Sequence, residues 1–148
     1  MPSTYSALHV HAVFSTKDRA PWITEEIEDR LWKYMAAVAL KHRMKPIRIG
    51  GIEDHIHVLV GIPATMAVSR AVQLLKGASS RWVHQTFPAM TYFAWQDGYG
   101  AFSVSQSALP SVAAYIARQR EHHAKQSYES ELRTLLAKHG LEVADDDG

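Results

Sequence analysis

The chain has 148 residues, of which 47% are apolar and 21% are charged, with a formal net charge of +1; these values predict one globular domain and do not by themselves indicate a nucleic-acid binder. The absence of cysteine excludes disulfides and thiolate metal sites, so any metal would be bound by histidine, carboxylate, amide or water. No apolar run is long enough to cross a bilayer and the N-terminus lacks a signal-peptide pattern, so we expect a cytoplasmic protein with no membrane partner.

The first half of the chain predicts three strands and two helices. Residues 5–14 alternate as a strand with an apolar face and a face that carries His9 and His11. A helix follows over residues 25–43, and the segment IRIGGI is predicted to be a strand weakened by its glycines. After an acidic turn, HIHVLVGI predicts a strand with His55 and His57 on one face, and a second helix runs from about 66 to 86.

The second half predicts two short strands, FAWQ and AFSVS, around the turn DGYG. A third helix carries AAYIARQREHH, and a fourth covers about 128–139 and ends at Gly140. The predicted order β-α-β-β-α-β matches, in its first six elements, the ferredoxin-like (split βαβ) arrangement. We therefore expect an α+β fold in which helices pack on one face of the sheet. The first and third strands would be central neighbours.

Two histidine pairs have the spacing of metal ligands on a strand, because alternate side chains point to the same face. His55 and His57 face away from their strand's apolar stripe, and the spacing alone equally allows two partly exposed histidines on an open sheet face. His9 and His11 have the same geometry, but their mid-strand position favours a structural role or one beside a metal ligand.

One face of the third helix carries Tyr115, Gln119 and His122 at positions i, i+4 and i+7. A packed tyrosine with its hydroxyl at the edge is the ordinary interpretation. The alternative is a tyrosine nucleophile with an amide or imidazole that reaches a metal. Five basic residues are interpreted first as solvated charges and second as phosphate contacts: Lys17, Arg19, Arg70, Lys76 and Arg81.

Together these features resemble the HUH single-tyrosine transposases, which include small insertion-sequence transposases and REP-associated tyrosine transposases. The resemblance runs from about residue 5 to 141 and is carried, in order, by DHIHVLV, WQDGYGAFSVS, YIARQREHH and SYESELRTLLAKHG. It predicts one transposase domain over residues 1–141, with a C-terminal catalytic helix. The acidic tail, residues 142–148, is predicted to be disordered.

The resemblance also implies a chemistry. His55 and His57 would bind Mg²⁺ or Mn²⁺, and Tyr115 would attack a phosphodiester of single-stranded DNA to form a 5′-phosphotyrosine link. Gln119 matches the position of a third metal ligand, although His122 and His123 are alternatives for that role. Family members commonly bind hairpin-forming DNA as homodimers with composite active sites, so we expect the same partners here.

Two other functions remain open from the residues themselves. The first is a non-catalytic nucleic-acid-binding module on a ferredoxin-like fold. The second is a metal-dependent nuclease that uses water and forms no covalent intermediate.

Overall fold

The computed structural model of the protein describes residues 3–142. Its strands are β1 (His9–Ser15), β2 (Lys45–Ile52), β3 (His55–Gly61) and β4 (Gly100–Val104). Its α-helices are α1 (Glu25–Lys41), α2 (Val68–Thr86), α3 (Leu109–Ala117), α4 (Gln119–His123) and α5 (Tyr128–Lys138).

The described strands form one antiparallel sheet in the order β2-β3-β1-β4. The expected ferredoxin-like α+β arrangement is confirmed, with β1 and β3 as central neighbours. Their register places Val13 opposite His57 and Ser15 opposite His55. Because both strands are paired on both edges, the His55–His57 segment lies on the most constrained part of the sheet.

The two faces of the sheet carry different clusters. On one face, Ile56 and Val58 of β3 join Phe14 of β1 in the main core with α1 and α2, which contribute Leu31 and Leu75. This is the predicted apolar face of β3, and α1 and α2 both pack against it, as expected. On the other face a smaller cluster joins the sheet to α5: Val13, Phe102 and Leu135. The C-terminal helices therefore cover the face that carries the histidines.

Two predicted elements were wrong. The segment FAWQ is not a strand: Phe93 and Trp95 are core residues, and a single bridge joins Trp95 to Thr16. The segment AAYIARQREHH is not one helix, because Arg118, with φ −106° and ψ 25°, separates α3 from α4. The first predicted strand begins later than expected, at His9 rather than residue 5.

Residues 143–148, which make up all but the first residue of the predicted acidic tail, lie outside the described residues. Among residues 3–142, no helix combines the length and the apolar character needed to span a bilayer.

Helix α3 packs directly against the backbone of β2 at Gly50. A Cβ at this position would lie 2.8 Å from the Ile116 carbonyl oxygen and 3.0 Å from Ile116 Cγ2. Because the closer atom belongs to the backbone, a side chain here would have to displace α3. The glycine therefore sets the distance between the sheet and the helix that carries Tyr115.

We expect Gly50→Ala to lower the free energy of unfolding by about 1–3 kcal/mol, because overpacking forces backbone shifts. Gly77→Ala is the matched control, since a Cβ at Gly77 on α2 meets open space. That control should raise stability by about 0.5–1 kcal/mol through the better helix propensity of alanine. Urea denaturation of both variants measures the difference, and equal stabilities would contradict this packing argument.

Candidate functional site

The site is built on the histidine pair of β3. His55 and His57 project from the same face of this central strand, and both side chains are fully buried. The alternation of the strand places Ile56 and Val58 in the main core, so the strand is held from one side while it presents both imidazoles to the other. The possibility of two partly exposed histidines on an open sheet face is therefore wrong.

A carboxylate from α5 lies at the centre of this cluster. Glu131 is 1% exposed, and its Oε1 lies 2.9 Å from His57 Nε2 and 3.2 Å from His55 Nε2. The same oxygen accepts a hydrogen bond from His123 Nε2 at 3.0 Å. Its other oxygen, Oε2, accepts from the Tyr115 hydroxyl and, at 3.0 Å, from Gln119 Nε2. The Glu131 carboxylate thus links the two histidines of β3 to Tyr115.

The helix break at Arg118 determines which side chains of this segment enter the site. Tyr115, at the end of α3, and Gln119, at the start of α4, both reach it, and Gln119 Oε1 lies 3.0 Å from His55 Nε2. After the break, His123 points to Glu131, whereas the ring of His122 lies 4.6 Å from the Tyr115 ring. Of the three candidates for a third ligand, Gln119 is therefore adjacent to the pair, His123 contacts Glu131 and His122 packs on the tyrosine.

The Nδ1 atoms of His55 and His57, which point away from Glu131, have different partners. His55 Nδ1 donates to the Asp54 carboxylate at 2.8 Å, whereas His57 Nδ1 lies 2.7 Å from His11 Nε2. His11 is itself buried and its ring stacks on His57. The earlier histidine pair thus contributes a residue that touches a candidate ligand. His9, two residues away on the same face, has a buried Nδ1 with no partner among the described residues.

Burial and hydrogen bonding shift the pKa values of the site in opposite directions. Burial alone would disfavour the charged form of His55, but the bonds to Asp54 and Glu131 outweigh it and raise its pKa to about 9. Burial lowers the pKa of His11 to about 3, aided by its neighbour His57. Burial also lowers the pKa of His57, despite its bond to Glu131. His11 and His57 are therefore neutral at physiological pH.

The pKa values of Glu131 and Tyr115 are shifted in opposite directions. Burial by itself would raise the pKa of Glu131, but the hydrogen bonds from His55 and His57 lower it far below its usual range. Burial raises the pKa of Tyr115 above its usual value, and the hydrogen bond to the Glu131 carboxylate adds to this effect. In this arrangement the carboxylate is ionised and the phenol is protonated.

The geometry fits a divalent cation. His55, His57 and Glu131 each offer a ligand atom, and these atoms lie within 4.8 Å of one another. In an octahedral site with bonds of about 2.1 Å, adjacent ligand atoms lie about 3.0 Å apart. The His57–Glu131 separation of 2.9 Å and the His55–Gln119 separation of 3.0 Å match this spacing. These three residues could therefore hold a divalent cation, and the amide oxygen of Gln119 lies beside one of them, His55.

Sequence reasoning missed Glu131. The signal available was its position on an amphipathic helix, because it lies three residues after Tyr128 and four before Leu135, on the buried side of α5. An acidic residue within an apolar stripe is unusual and indicates a partner in the interior. The segment contains several acids, and spacing alone does not show which of them faces the histidines.

An ion-pair cluster fixes α4 beside the site. The Arg120 guanidinium donates through Nη1 to Glu53 at 2.7 Å and through Nη2 to Glu28 at 2.9 Å. Glu53 belongs to the turn before β3, and Glu28 belongs to α1. Arg120, the residue after Gln119, is thus bonded both to the turn that precedes β3 and to α1 on the other side of the sheet.

The predicted DNA-contacting residues are divided between two regions. Arg19 forms an ion pair at 2.8 Å with Glu129 of α5, which brings it towards the site. Lys17 lies beside Arg19 in the short 3-10 helix Lys17–Arg19. The other three lie on α2, in the helix layer across the sheet from the histidines: Arg70, Lys76 and Arg81. Lys76 donates to the carbonyl oxygens of Gln96 and Gly98.

Comparisons with known proteins give a matching family and two solved structures with a similar fold. Residues 4–119 match the family described as "Transposase IS200 like". A crystal structure of a candidate transposase from Deinococcus radiodurans R1 has 23% identity and a TM-score of 0.66, with 80% of this chain and 95% of that chain covered. A REP-associated tyrosine transposase bound to a REP hairpin has 13% identity and a TM-score of 0.58, with 100% of this chain and 90% of that chain covered. No curated protein matches this chain significantly.

The two TM-scores establish that these structures share the fold of this chain. The match over residues 4–119 includes the histidine pair and ends at Gln119, so it leaves out Glu131.

The His11–His57 contact gives a prediction for metal affinity. His57 can bind a cation through Nε2 only when its ring proton is on Nδ1, which then donates to His11 Nε2. We expect His11→Leu to weaken Mn²⁺ binding by about 10- to 100-fold, whereas His11→Gln keeps an acceptor and most of the affinity. Calorimetric titration of the full chain with Mn²⁺ measures this.

His9→Leu is the control, since His9 lies on the same strand face but is two residues further from His57. Equal Mn²⁺ affinity in all three variants would contradict the assigned role of His11.

Proposed function

Because this chain belongs to the IS200-like transposase family, we propose that it cleaves and rejoins single-stranded DNA through a covalent 5′-phosphotyrosine at Tyr115. The observation that supports this most strongly is the convergence at Glu131 of the Tyr115 hydroxyl, the Gln119 amide and the histidine pair. A nucleophile held one side chain away from a candidate cation site is the arrangement that covalent cleavage of a phosphodiester needs.

Tyr115 supplies the attacking oxygen in this proposal. Its phenolic oxygen forms a bond to phosphorus, the bond from phosphorus to the 3′-oxygen breaks, and that oxygen takes up a proton. The hydrogen bond to Glu131 Oε2 orients the phenolic hydroxyl. Its proton leaves to water as the bond to phosphorus forms, and water supplies the proton that the 3′-oxygen takes up. Rejoining reverses these bonds: a 3′-hydroxyl attacks the phosphotyrosine and Tyr115 recovers its proton, so no ATP is consumed.

His55, His57 and Glu131 would hold the divalent cation, with Gln119 as a further ligand. The cation, Mg²⁺ or Mn²⁺, would polarise the scissile phosphate and offset the charge that builds on its oxygens. The two oxygens of Glu131 have different partners. Oε1 faces the histidines, whereas Oε2 accepts a hydrogen bond from Tyr115.

The DNA partner follows from the family and from one neighbour. The REP-associated tyrosine transposase with the same fold is bound to a REP hairpin. We infer that this chain also takes hairpin-forming single-stranded DNA. Lys17 and Arg19 are proposed to contact phosphates near the site, and the basic residues of α2 contact more distant parts of the DNA: Arg70, Lys76 and Arg81.

Tyr115→Phe tests the nucleophile. We expect this variant to form no covalent adduct with labelled single-stranded hairpin DNA in Mn²⁺, because it lacks the attacking oxygen, while DNA binding persists. Tyr128→Phe is the matched control, since its ring contacts His55 at 4.6 Å and this variant keeps that ring. A denaturing gel separates the adduct from free DNA, and chelation should abolish the adduct.

Other outcomes identify the alternative functions. Cleavage without an adduct would indicate a nuclease that uses water. DNA binding that survives both chelation and His57→Ala, without cleavage, would indicate a binding module.

The composite dimer inferred from the resemblance stays a prediction. Within one chain, Tyr115 already contacts Glu131 and its ring lies 5.8 Å from the His57 ring, which favours a site completed by a single subunit. If two subunits share composite sites, a mixture of His57→Ala and Tyr115→Phe chains should restore the adduct, because one site then combines an intact histidine pair with an intact tyrosine. A mixture that stays inactive would refute the composite site and indicate that each subunit completes its own.

A further inference from the structure

A cavity of about 780 Å³ opens beside Tyr115, between β4, α3 and α5. Tyr115, Glu131 and His11 belong to its lining, so it is continuous with the site. Its volume lies within the range of about 300–1,000 Å³ that is typical of small-ligand sites. A smaller cavity of about 260 Å³ includes Gln119 but not Tyr115. Of these two spaces, the larger is therefore the one that the tyrosine faces.

The cavity wall combines apolar and hydrogen-bonding groups. Val104, Val112 and Leu135 supply apolar surface from three different elements. Hydroxyl and amide groups also line it, among them Thr134 and Gln126. A nucleobase has flat apolar faces and an edge of donors and acceptors, so both kinds of surface have a counterpart on it.

The edge strand β4 contributes to the same wall. β4 is an edge strand and pairs with β1 along one side. The outward-facing N–H and C=O groups of an edge strand are available to another partner. Ser103 and Val104 of this strand line the cavity, and Lys138 of α5 adds a cation that suits the phosphate of a nucleotide.

We propose that this cavity binds the base of a nucleotide next to the scissile phosphate and selects which base is accepted there. The proposal rests on the proposed function, because a phosphorus atom within about 3–3.5 Å of the Tyr115 oxygen brings its flanking nucleotides to the cavity. Specificity at that position would then come from the protein wall, through Val104, Val112 and Thr134 among others.

The experiment measures the single-turnover rate of adduct formation by the full chain. Hairpin DNA carries each of the four bases, or an abasic residue, at the position on either side of the scissile phosphate. We expect the abasic residue at one of these positions to slow adduct formation by about 10-fold or more, the size typical of a lost base contact. The four bases at that position should also differ among themselves.

Val112→Phe fills the cavity from α3 and should bring the ratio of the best-base rate to the abasic rate close to one. Ala114→Phe is the matched control, because Ala114 lies on the same helix but is exposed and outside the cavity lining. This control should keep the wild-type ratio. The ratio is informative even if Val112→Phe lowers all rates, since a shift of the helix alone would slow both substrates equally.

Adduct formation at the same rate with every base and with abasic residues at both positions would overturn the cavity proposal and leave the proposed function intact. An unchanged ratio in Val112→Phe would also overturn it. Failure to form an adduct with any substrate would overturn both.

Discussion

The buried carboxylate of Glu131 is the group around which the described C-terminal helices and the sheet are arranged. An ionised carboxylate in the interior is costly unless it is fully paired, and removal of a buried partner typically costs about 3–5 kcal/mol. Imidazoles from β3 and α4, a phenol from α3 and an amide from α4 together satisfy both of its oxygens. The position of α5 is therefore coupled to the same interactions that orient the tyrosine.

Rigidity in the site comes from the main core on the opposite face of the sheet. Because β3 alternates, the residues between and beside its histidines are packed against α1 and α2, so the imidazoles have little freedom to move. The tyrosine is placed by a different constraint, since Gly50 permits α3 to touch the backbone of β2. Two packing contacts, one in the main core and one between α3 and β2, thus determine the separation of Tyr115 from the histidine pair.

Part of this arrangement follows from the sequence, because strand alternation assigns His55 and His57 to one face. Tyr115 and Gln119 also reach the same site, but from two helices separated at Arg118 rather than from one helical face. The break at Arg118 was missed because AAYIARQREHH contains no proline or glycine, and the break depends on tertiary contacts of the residues around it. FAWQ has strand composition, but its aromatic rings are used in the core instead. To predict that Glu131 faces the histidines, one would need to know how α5 packs on the sheet, which the local sequence does not show.

The match to the family ends at Gln119, whereas the carboxylate that completes the candidate ligand set lies twelve residues further along. The imidazoles, the amide and the phenol thus come from the segment that defines the family, and the negative charge comes from a separate helix appended to it. A chain with the same sheet and another C-terminal helix would keep the proposed nucleophile but present a site of different net charge. In the proposed cation site, the preference between hard and softer cations would then change with one helix, without any change to the sheet.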